Sequence, residues 1–268
     1  MESQFPELKI IPQDRLILHE EFDPKRAAKL AQRIKKDGYF KNPIIAAEIN
    51  HGSKFLVLDG VHRITALKKL NCRNIVVQLV DYFNEGLKVY TWGLMLLGCR
   101  KKELLKRIEK IGGIKLDRAE KGKNLVGYLI FNDGDIFLLK AAGNLKQRAE
   151  KLVAVVDACG KVSKISRVLK SEIKTLLKSH KEEAAVLTVP DYEKKDILEL
   201  ALIGVKLPAG ITRHIIPNRV LGLDIKLSLL KNNSSLNQKN KMLRKIIAQK
   251  TKEKRIRFYP ESVFIFDE

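Results

Sequence analysis

The pattern of apolar and polar positions changes period sharply at one place in the chain. Phe55-Leu-Val-Leu58 is a continuous apolar run, Asp59-Gly60 interrupts it, and Ile64, Leu67 and Leu70 then recur at helical spacing. This predicts a buried strand, a glycine turn and a helix in one stretch from Lys54 to Leu70, with Val61, His62 and Arg63 in the first helical turn. Upstream, Leu8 to Leu18 has extended character with Pro12 at an edge position. Asp23-Pro24 opens a helix whose Ala27, Leu30, Ala31 and Ile34 form a stripe ending before Gly38. Tyr39 to Ala47 feeds a strand that pairs with Lys54 to Leu58 across the turn-rich Asn50 to Ser53, and Asn74 to Val80 returns as a third strand.

Beyond the single tryptophan, Trp92, the pattern predicts one amphipathic helix over Leu94 to Ile111, closed by Gly112-Gly113. Leu125 to Phe131 and Ile136 to Leu139 form a hairpin around Asn132-Asp-Gly134. Leu145 to Ala158 and Lys161 to Ser179 are helical by pattern, Val186 to Val189 is a short strand, and Asp191 to Gly204 is another helix. Leu221 to Leu230 is a strand-like run leading to a short helix, and Asn232 to Gln238 is a polar loop. Lys239 to Lys254 is a basic helix with Leu243, Ile246 and Ile247 on one side, followed by extended segments at Arg255 to Tyr259 and Ser262 to Phe266. The fold class is α/β (α+β), with a small N-terminal unit over residues 1–92 and a mixed α/β domain over 93–268. No internal repeat occurs, and neither Gly-x-x-x-x-Gly-Lys-Ser/Thr nor Gly-x-Gly-x-x-Gly is present.

Charge adds a preference for anions: 52 basic residues against 31 acidic ones give a formal net charge of +21. The basic residues are scattered and aromatics make up only 6% of the chain, so no stacking surface for single-stranded nucleic acid stands out. Nucleic acid is a possible but secondary partner. Cys72, Cys99 and Cys159 are odd in number and widely spaced, which argues against a disulfide framework or a zinc site and for a reducing compartment. The N-terminus lacks a leader pattern and no apolar run is long enough for a membrane span, so a cytoplasmic protein is expected.

Candidate chemistry centres on the glycine turn. Unpaired N–H groups of the first helical turn attract an anion, Gly60 permits close backbone approach, and His62 and Arg63 add side-chain donors. Asp59 places a carboxylate beside that anion, which suggests Mg²⁺ bridging it to phosphate. The residues alone leave a second reading open, in which Asp59 caps the helix and His62 and Arg63 are solvated.

Leu58-Asp-Gly-Val-His-Arg63, followed by Ala66-Leu67-Lys68, resembles the signature of the ParB/sulfiredoxin superfamily, in which nucleotide phosphates bind at this turn. Sulfiredoxins carry a catalytic cysteine where this chain has Val61, and ParB partition proteins carry an acidic residue followed by two arginines. Asp-Gly-x-His-Arg resembles instead the free L-serine kinases, among them an archaeal enzyme of cysteine biosynthesis and a kinase encoded with staphylococcal siderophore genes. Leu18-His-Glu-Glu21, Asp81 to Trp92 and Pro208-Ala-Gly-Ile-Thr-Arg-His-Ile-Ile-Pro217 match the same branch, so the resemblance spans most of the chain.

The resemblance implies a ParB/sulfiredoxin-like nucleotide-binding and catalytic domain over 1–92 and a C-terminal domain contributing to a serine pocket. It implies ATP or ADP as donor, Mg²⁺ as cofactor, and L-serine as the acceptor that becomes O-phospho-L-serine. Glu20 would be the base, with Asp59 holding the metal and sharing that role. Gly60, Val61, His62 and Arg63 would hold the nucleotide, and Trp92, Thr212, Arg213 and His214 the amino acid. Siderophore-type relatives keep Thr-Arg but not the following His. Unaided, a glutamate before a helix reads as a capping residue, a lone tryptophan as core, and a Thr-Arg-His triplet as a solvated loop. The rival function is a ParB-like nucleotide- and DNA-binding transcriptional or partition regulator. It is motivated by the charge and weakened by the missing arginine pair and the lack of a compact helix-turn-helix. The choice between ATP and ADP, the pathway and the oligomeric state are left open by the sequence.

Overall fold

The computed structural model describes residues 5–49, 52–118, 123–180 and 183–259; the expected segment Ser262 to Phe266 lies outside them. Contacts group the chain into two compact units, each discontinuous in sequence. One comprises Met1–Leu16, Asp23–Leu87 and Ile216–Glu268, and the other Ile17–Phe22 and Lys88–Ile215.

The first unit contains β1 (Glu7–Pro12), α1 (Pro24–Asp37), β3 (Tyr39–Phe40), β4 (Ile44–Ile49), β5 (Lys54–Asp59), α2 (Val61–Lys69) and β6 (Asn74–Val80), and the short strand β2 (Leu16–Leu18) begins at its boundary residue Leu16. The sheet order is β1-β6-β4-β5-β2, with β4 and β6 parallel and the β1/β6 and β4/β5 pairs antiparallel. The core fills with Ile10, Ile44, Leu56, Leu67 and Ile75, all fully buried. Helix α1 begins where the sequence predicts: the Asp23 carboxylate accepts from the N–H groups of Lys25 at 2.8 Å and Arg26 at 3.3 Å, and Gly38 ends it in the left-handed conformation.

The C-terminal helix Leu236–Lys252 returns to this unit and packs on β1. It starts three residues earlier than its apolar stripe suggests, because Ser235 and Gln238 form a reciprocal capping box. The Asn240 carboxamide accepts from the Ile10 N–H at 2.8 Å and donates to the Ile10 carbonyl at 2.9 Å. Lys239, 1% exposed, donates to Asn74 Oδ1 at 2.7 Å and to the Leu230 carbonyl at 3.1 Å.

The second unit contains β7 (Lys88–Thr91), β8 (Gly93–Leu97), α3 (Lys101–Glu109), β9 (Lys115–Asp117), β10 (Leu125–Phe131), β11 (Ile136–Lys140) and α4 (Leu145–Gly160). These are followed by β12 (Lys164–Val168), α5 (Ile173–Ser179), β13 (Ala184–Thr188), α6 (Lys194–Leu202) and β14 (Thr212–Ile215). Six strands form an antiparallel sheet in the order β12-β8-β13-β10-β11-β9, and β14 pairs with β7 as a separate ribbon. Leu96, Leu129, Leu139 and Leu187 of the sheet pack with Leu104 and Ile108 of α3, Leu152 and Val155 of α4, and Leu200 of α6.

Two expected helices are corrected here. Leu94 to Leu97 is a buried inner strand, flanked by β12 and β13, and only Lys101–Glu109 of the expected span is helical. A run buried on both faces loses its alternation, so its period does not separate strand from helix. Likewise Lys164–Val168 is an edge strand, and the helix begins only at Ile173. The mixed α/β class stands as expected.

Candidate active site

The glycine turn is built within the first unit. Gly60 adopts φ 112°, ψ 23°, a backbone state that disfavours any side chain. A Cβ there would lie 2.8 Å from Ile44 Cδ1 and 3.1 Å from two guanidinium nitrogens of Arg63. Glycine is therefore required by both angle and space. The first intrahelical bond of α2 runs from the Ile64 N–H to the Gly60 carbonyl, and no side chain caps the helix. The N–H groups of Val61, His62 and Arg63 thus lie beyond the ladder, at the positive end of the dipole.

Arg63 turns inward rather than toward solvent. Its Nη1 donates to the carbonyls of Asn42 at 3.0 Å and Pro43 at 2.6 Å, and Nη2 lies 3.1 Å from Asp59 Oδ2. Burial pulls its pKa down to about 10, which leaves it cationic at neutral pH. Arg219 bonds the same Asp59 oxygen, so one carboxylate oxygen faces two guanidinium groups. Arg219 was not singled out from sequence, because it lies 160 positions away and carries no motif. His62 Nε2 accepts from the Asp23 N–H at 3.1 Å, which assigns the proton of the neutral ring to Nδ1.

The second cluster lies wholly within the other unit. The chain at His19 to Glu21 is clamped to Leu207: the Leu207 N–H donates to the His19 carbonyl and the Glu21 N–H to the Leu207 carbonyl, both at 2.8 Å. This buries Glu20 to 8% exposure. Its Oε2 accepts from the Gly210 N–H at 2.8 Å, and its Oε1 accepts from the Thr212 N–H at 2.6 Å and the Thr212 hydroxyl at 2.5 Å. The Thr212 hydroxyl also meets His19 Nε2 at 2.9 Å. Both hydrogen-bond donors of Thr212 therefore engage Glu20.

Strand alternation splits the Thr-Arg-His triplet. Thr212 and His214 share one face of β14, whereas Arg213 lies on the other with its guanidinium 4.9 Å from the centre of the Trp92 ring. His214 meets the His19 ring edge-on at 5.2 Å. Burial, reinforced by His19 and Lys194, lowers its pKa to about 3 and keeps it neutral.

Three further polar residues surround the ribbon. The Arg167 guanidinium fills the space that a Cβ on Gly210 would occupy, and Gly210 itself has φ 66°. Thr91, opposite Thr212 in the ribbon, donates its N–H and hydroxyl to Asp191 Oδ1 at 3.0 and 2.8 Å, and Lys170 reaches the same oxygen at 2.9 Å. Burial pushes the Asp191 carboxyl upward, but the bonds from Lys170 and Thr91 outweigh it and hold the group below its usual range. Arg167 and Lys170 escaped sequence reading because their segment has a helical pattern.

The structure thus gathers Asp59, Gly60, Val61, His62 and Arg63 in one unit and Glu20, Trp92, Thr212, Arg213 and His214 in the other. No protein-family profile matches the chain. It is similar to the ATP-dependent L-serine kinase SbnI of Staphylococcus aureus, with 27% identity over 265 residues and 97% of each chain covered. It is also similar to the ADP-dependent L-serine kinase SerK of Thermococcus kodakarensis, with 24% identity over 224 residues, 81% of this chain and 90% of the relative. Among solved structures, a free serine kinase in complex with AMP superimposes with a TM-score of 0.73 at 23% identity, covering 85% of this chain and 95% of that one. Along most of its length, then, the chain is similar to the free L-serine kinases in sequence and shares their fold.

Proposed function

We propose that this protein is a kinase that transfers a phosphoryl group from ATP or ADP to the hydroxyl of free L-serine, giving O-phospho-L-serine. The observation that carries this reading is the Glu20 carboxylate, buried and held by three donors from Gly210 and Thr212. An alcohol at neutral pH needs a positioned base, and a carboxylate that accepts three hydrogen bonds is held in one orientation.

The other roles follow from chemistry. The N–H groups of Val61 to Arg63 bind the nucleotide phosphates, with Gly60 allowing their close approach. His62 stands at the same turn, its Nε2 held by the Asp23 N–H. Arg63 holds the turn to the backbone of Asn42 and Pro43. The Arg213 guanidinium, stacked on Trp92, suits the carboxylate of the amino acid, and His214 lies against His19 on the face of β14 that carries Thr212. In this reading residues 1–92 carry the nucleotide and catalytic groups, and 93–268 contributes to the serine pocket.

Magnesium fits as a companion of the nucleotide rather than a resident ion. Among the described residues no group of three or more potential ligands could hold a metal by itself. Asp59 is the carboxylate the chain offers, its Oδ2 already taken by Arg63 and Arg219. Such a donor set suits Mg²⁺, which is commonly bound by one or two carboxylates together with substrate phosphates. The ion would neutralise charge on the phosphate oxygens; positioning and charge stabilisation by the chain supply the rest. The three cysteines, free and buried, suit a reducing, cytoplasmic setting. The rival DNA-binding reading has only the net charge in its favour.

The test is to incubate the purified protein with L-serine, Mg²⁺ and either ATP or ADP and to quantify phosphoserine by mass spectrometry. Phosphoserine forms with at least one donor, and Glu20→Gln lowers the rate by roughly 10² to 10⁴. An E20Q variant with full activity would remove the base.

A further inference from the structure

We infer that His19 is a positioning residue for phosphoryl transfer: acting through the Thr212 hydroxyl, it fixes the Glu20 carboxylate so that Oε2 is the oxygen that receives the substrate proton. The inference rests on the reading of Glu20 as the base.

The Thr212 hydroxyl has a single hydrogen and two neighbours. At 2.5 Å it faces Glu20 Oε1, a carboxylate oxygen that already accepts the Thr212 N–H. The hydrogen therefore points at Glu20, since the opposite orientation would press lone pair against lone pair. Toward His19, 2.9 Å away, the hydroxyl oxygen must then be the acceptor, so Nε2 of His19 carries a hydrogen. The result is a directed chain from His19 Nε2–H to Thr212 Oγ1–H to Glu20 Oε1. Chains of this kind polarise along their length, which strengthens each bond.

Counting lone pairs then distinguishes the two carboxylate oxygens. Oε1 accepts two donors, the N–H and O–H of Thr212. Oε2 accepts one, the Gly210 N–H, and keeps a lone pair. In the transfer the serine O–H bond breaks and an Oε2–H bond forms, while the serine oxygen attacks the terminal phosphorus. The bond from that phosphorus to the bridging oxygen breaks with its electron pair leaving on the nucleotide product.

His19 is itself held at both ends. Its carbonyl accepts from Leu207, and its ring lies edge-on against His214. A ring so constrained donates to the Thr212 oxygen from one fixed direction, which leaves that hydroxyl aimed at Glu20 Oε1.

The experiment measures phosphoserine formation at saturating and limiting serine for wild type, His19→Leu, His19→Gln, Thr212→Val and the double variant H19L/T212V. H19L lowers kcat roughly 10- to 100-fold while the KM for serine stays within about threefold, as expected for misorientation of a base rather than loss of a binding contact. H19Q, whose side-chain amide can donate from near the Nε2 position, recovers most of that rate, a rescue that a purely packing role would not give. H19L/T212V is no slower than T212V alone, because the two changes break the same chain. Wild-type kcat in H19L, no recovery in H19Q, or a double variant slower by both factors would overturn the inference. Thermal melts and adenine-nucleotide titrations verify folding; should H19L not fold, the comparison of Thr212→Ser, which keeps the hydroxyl, with T212V decides, equal rates overturning the inference. A wild-type protein that makes no phosphoserine defeats the kinase reading itself, an outcome distinct from active wild type with equally active H19L.

Discussion

Alanine at position 60 probes the turn proposed to hold the nucleotide, and its cost can be worked from two separate features. The first is backbone: at φ 112° an L-residue is strained by about 1 to 2 kcal/mol. The second is space, because the new methyl would lie 2.8 Å from Ile44 Cδ1 and 3.1 Å from Nε and Nη2 of Arg63. Ile44 is fully buried and cannot swing away, so relief must come from shifts costing about 1 to 3 kcal/mol. Together these destabilise the protein by about 2 to 5 kcal/mol, a large part of the roughly 5 to 15 kcal/mol that keeps a domain folded. With a urea slope of about 2 kcal/mol/M, the unfolding midpoint of Gly60→Ala falls by about 1 to 2.5 M. Circular dichroism during a urea titration reads this directly. Nucleotide affinity, followed by calorimetry, falls as well, because the displaced Arg63 no longer holds the first turn to Asn42 and Pro43. A G60A protein with the midpoint and slope of wild type would refute the argument from angle and crowding.

Two further predictions concern residues whose roles emerge only in three dimensions. Arg219→Ala removes one of the two guanidinium groups on Asp59; both partners are about 40% exposed, so the pair contributes only about 0 to 1 kcal/mol to stability and the melting temperature barely moves. Phosphoserine formation nonetheless falls roughly tenfold, because Asp59 is then held by Arg63 alone; an unchanged rate would exclude Arg219 from the site. His214 makes folding stability pH-dependent. Its pKa is lowered from 6.5 to about 3 by burial, with smaller contributions from His19 and Lys194. The unfolded chain therefore binds the extra proton between those values, so the stabilisation is complete above about pH 6.5 and is lost progressively as pH falls toward 3. His214→Asn flattens the decline of the urea midpoint over that range, and parallel profiles would show that His214 does not titrate with unfolding.

Much of the first unit was legible because its elements announce themselves locally. Asp23-Pro24 and Gly38 mark both ends of α1, and Asp59-Gly60 marks the junction of β5 and α2, where the structure places them. The second unit was harder. Leu94 to Leu97 and Lys164 to Val168 are short segments whose pairing partners are remote in sequence, so their strand character comes from tertiary pairing rather than from a local period. The candidate site divides along the same line. Asp59, Gly60, His62 and Arg63 could be named from the chemistry of a glycine turn, but Glu20, Trp92, Thr212, Arg213 and His214 only through the resemblance, and how they are held could not be named at all. Thr212 hands its polar groups to Glu20 across 192 positions, and Arg219 reaches Asp59 across 160. No periodicity records such pairings.

The carboxamide of Asn240 carries a last implication for how the molecule behaves at high concentration. Strand β1 borders its sheet, and the outward N–H and C=O of Ile10 would offer a docking point to a strand from another molecule. One side chain satisfies both groups, imitating a single residue of a neighbouring strand and leaving that position closed to intermolecular pairing. A shortened protein ending before Leu236 would lose this plug, and self-association through the uncovered border would be its characteristic fault.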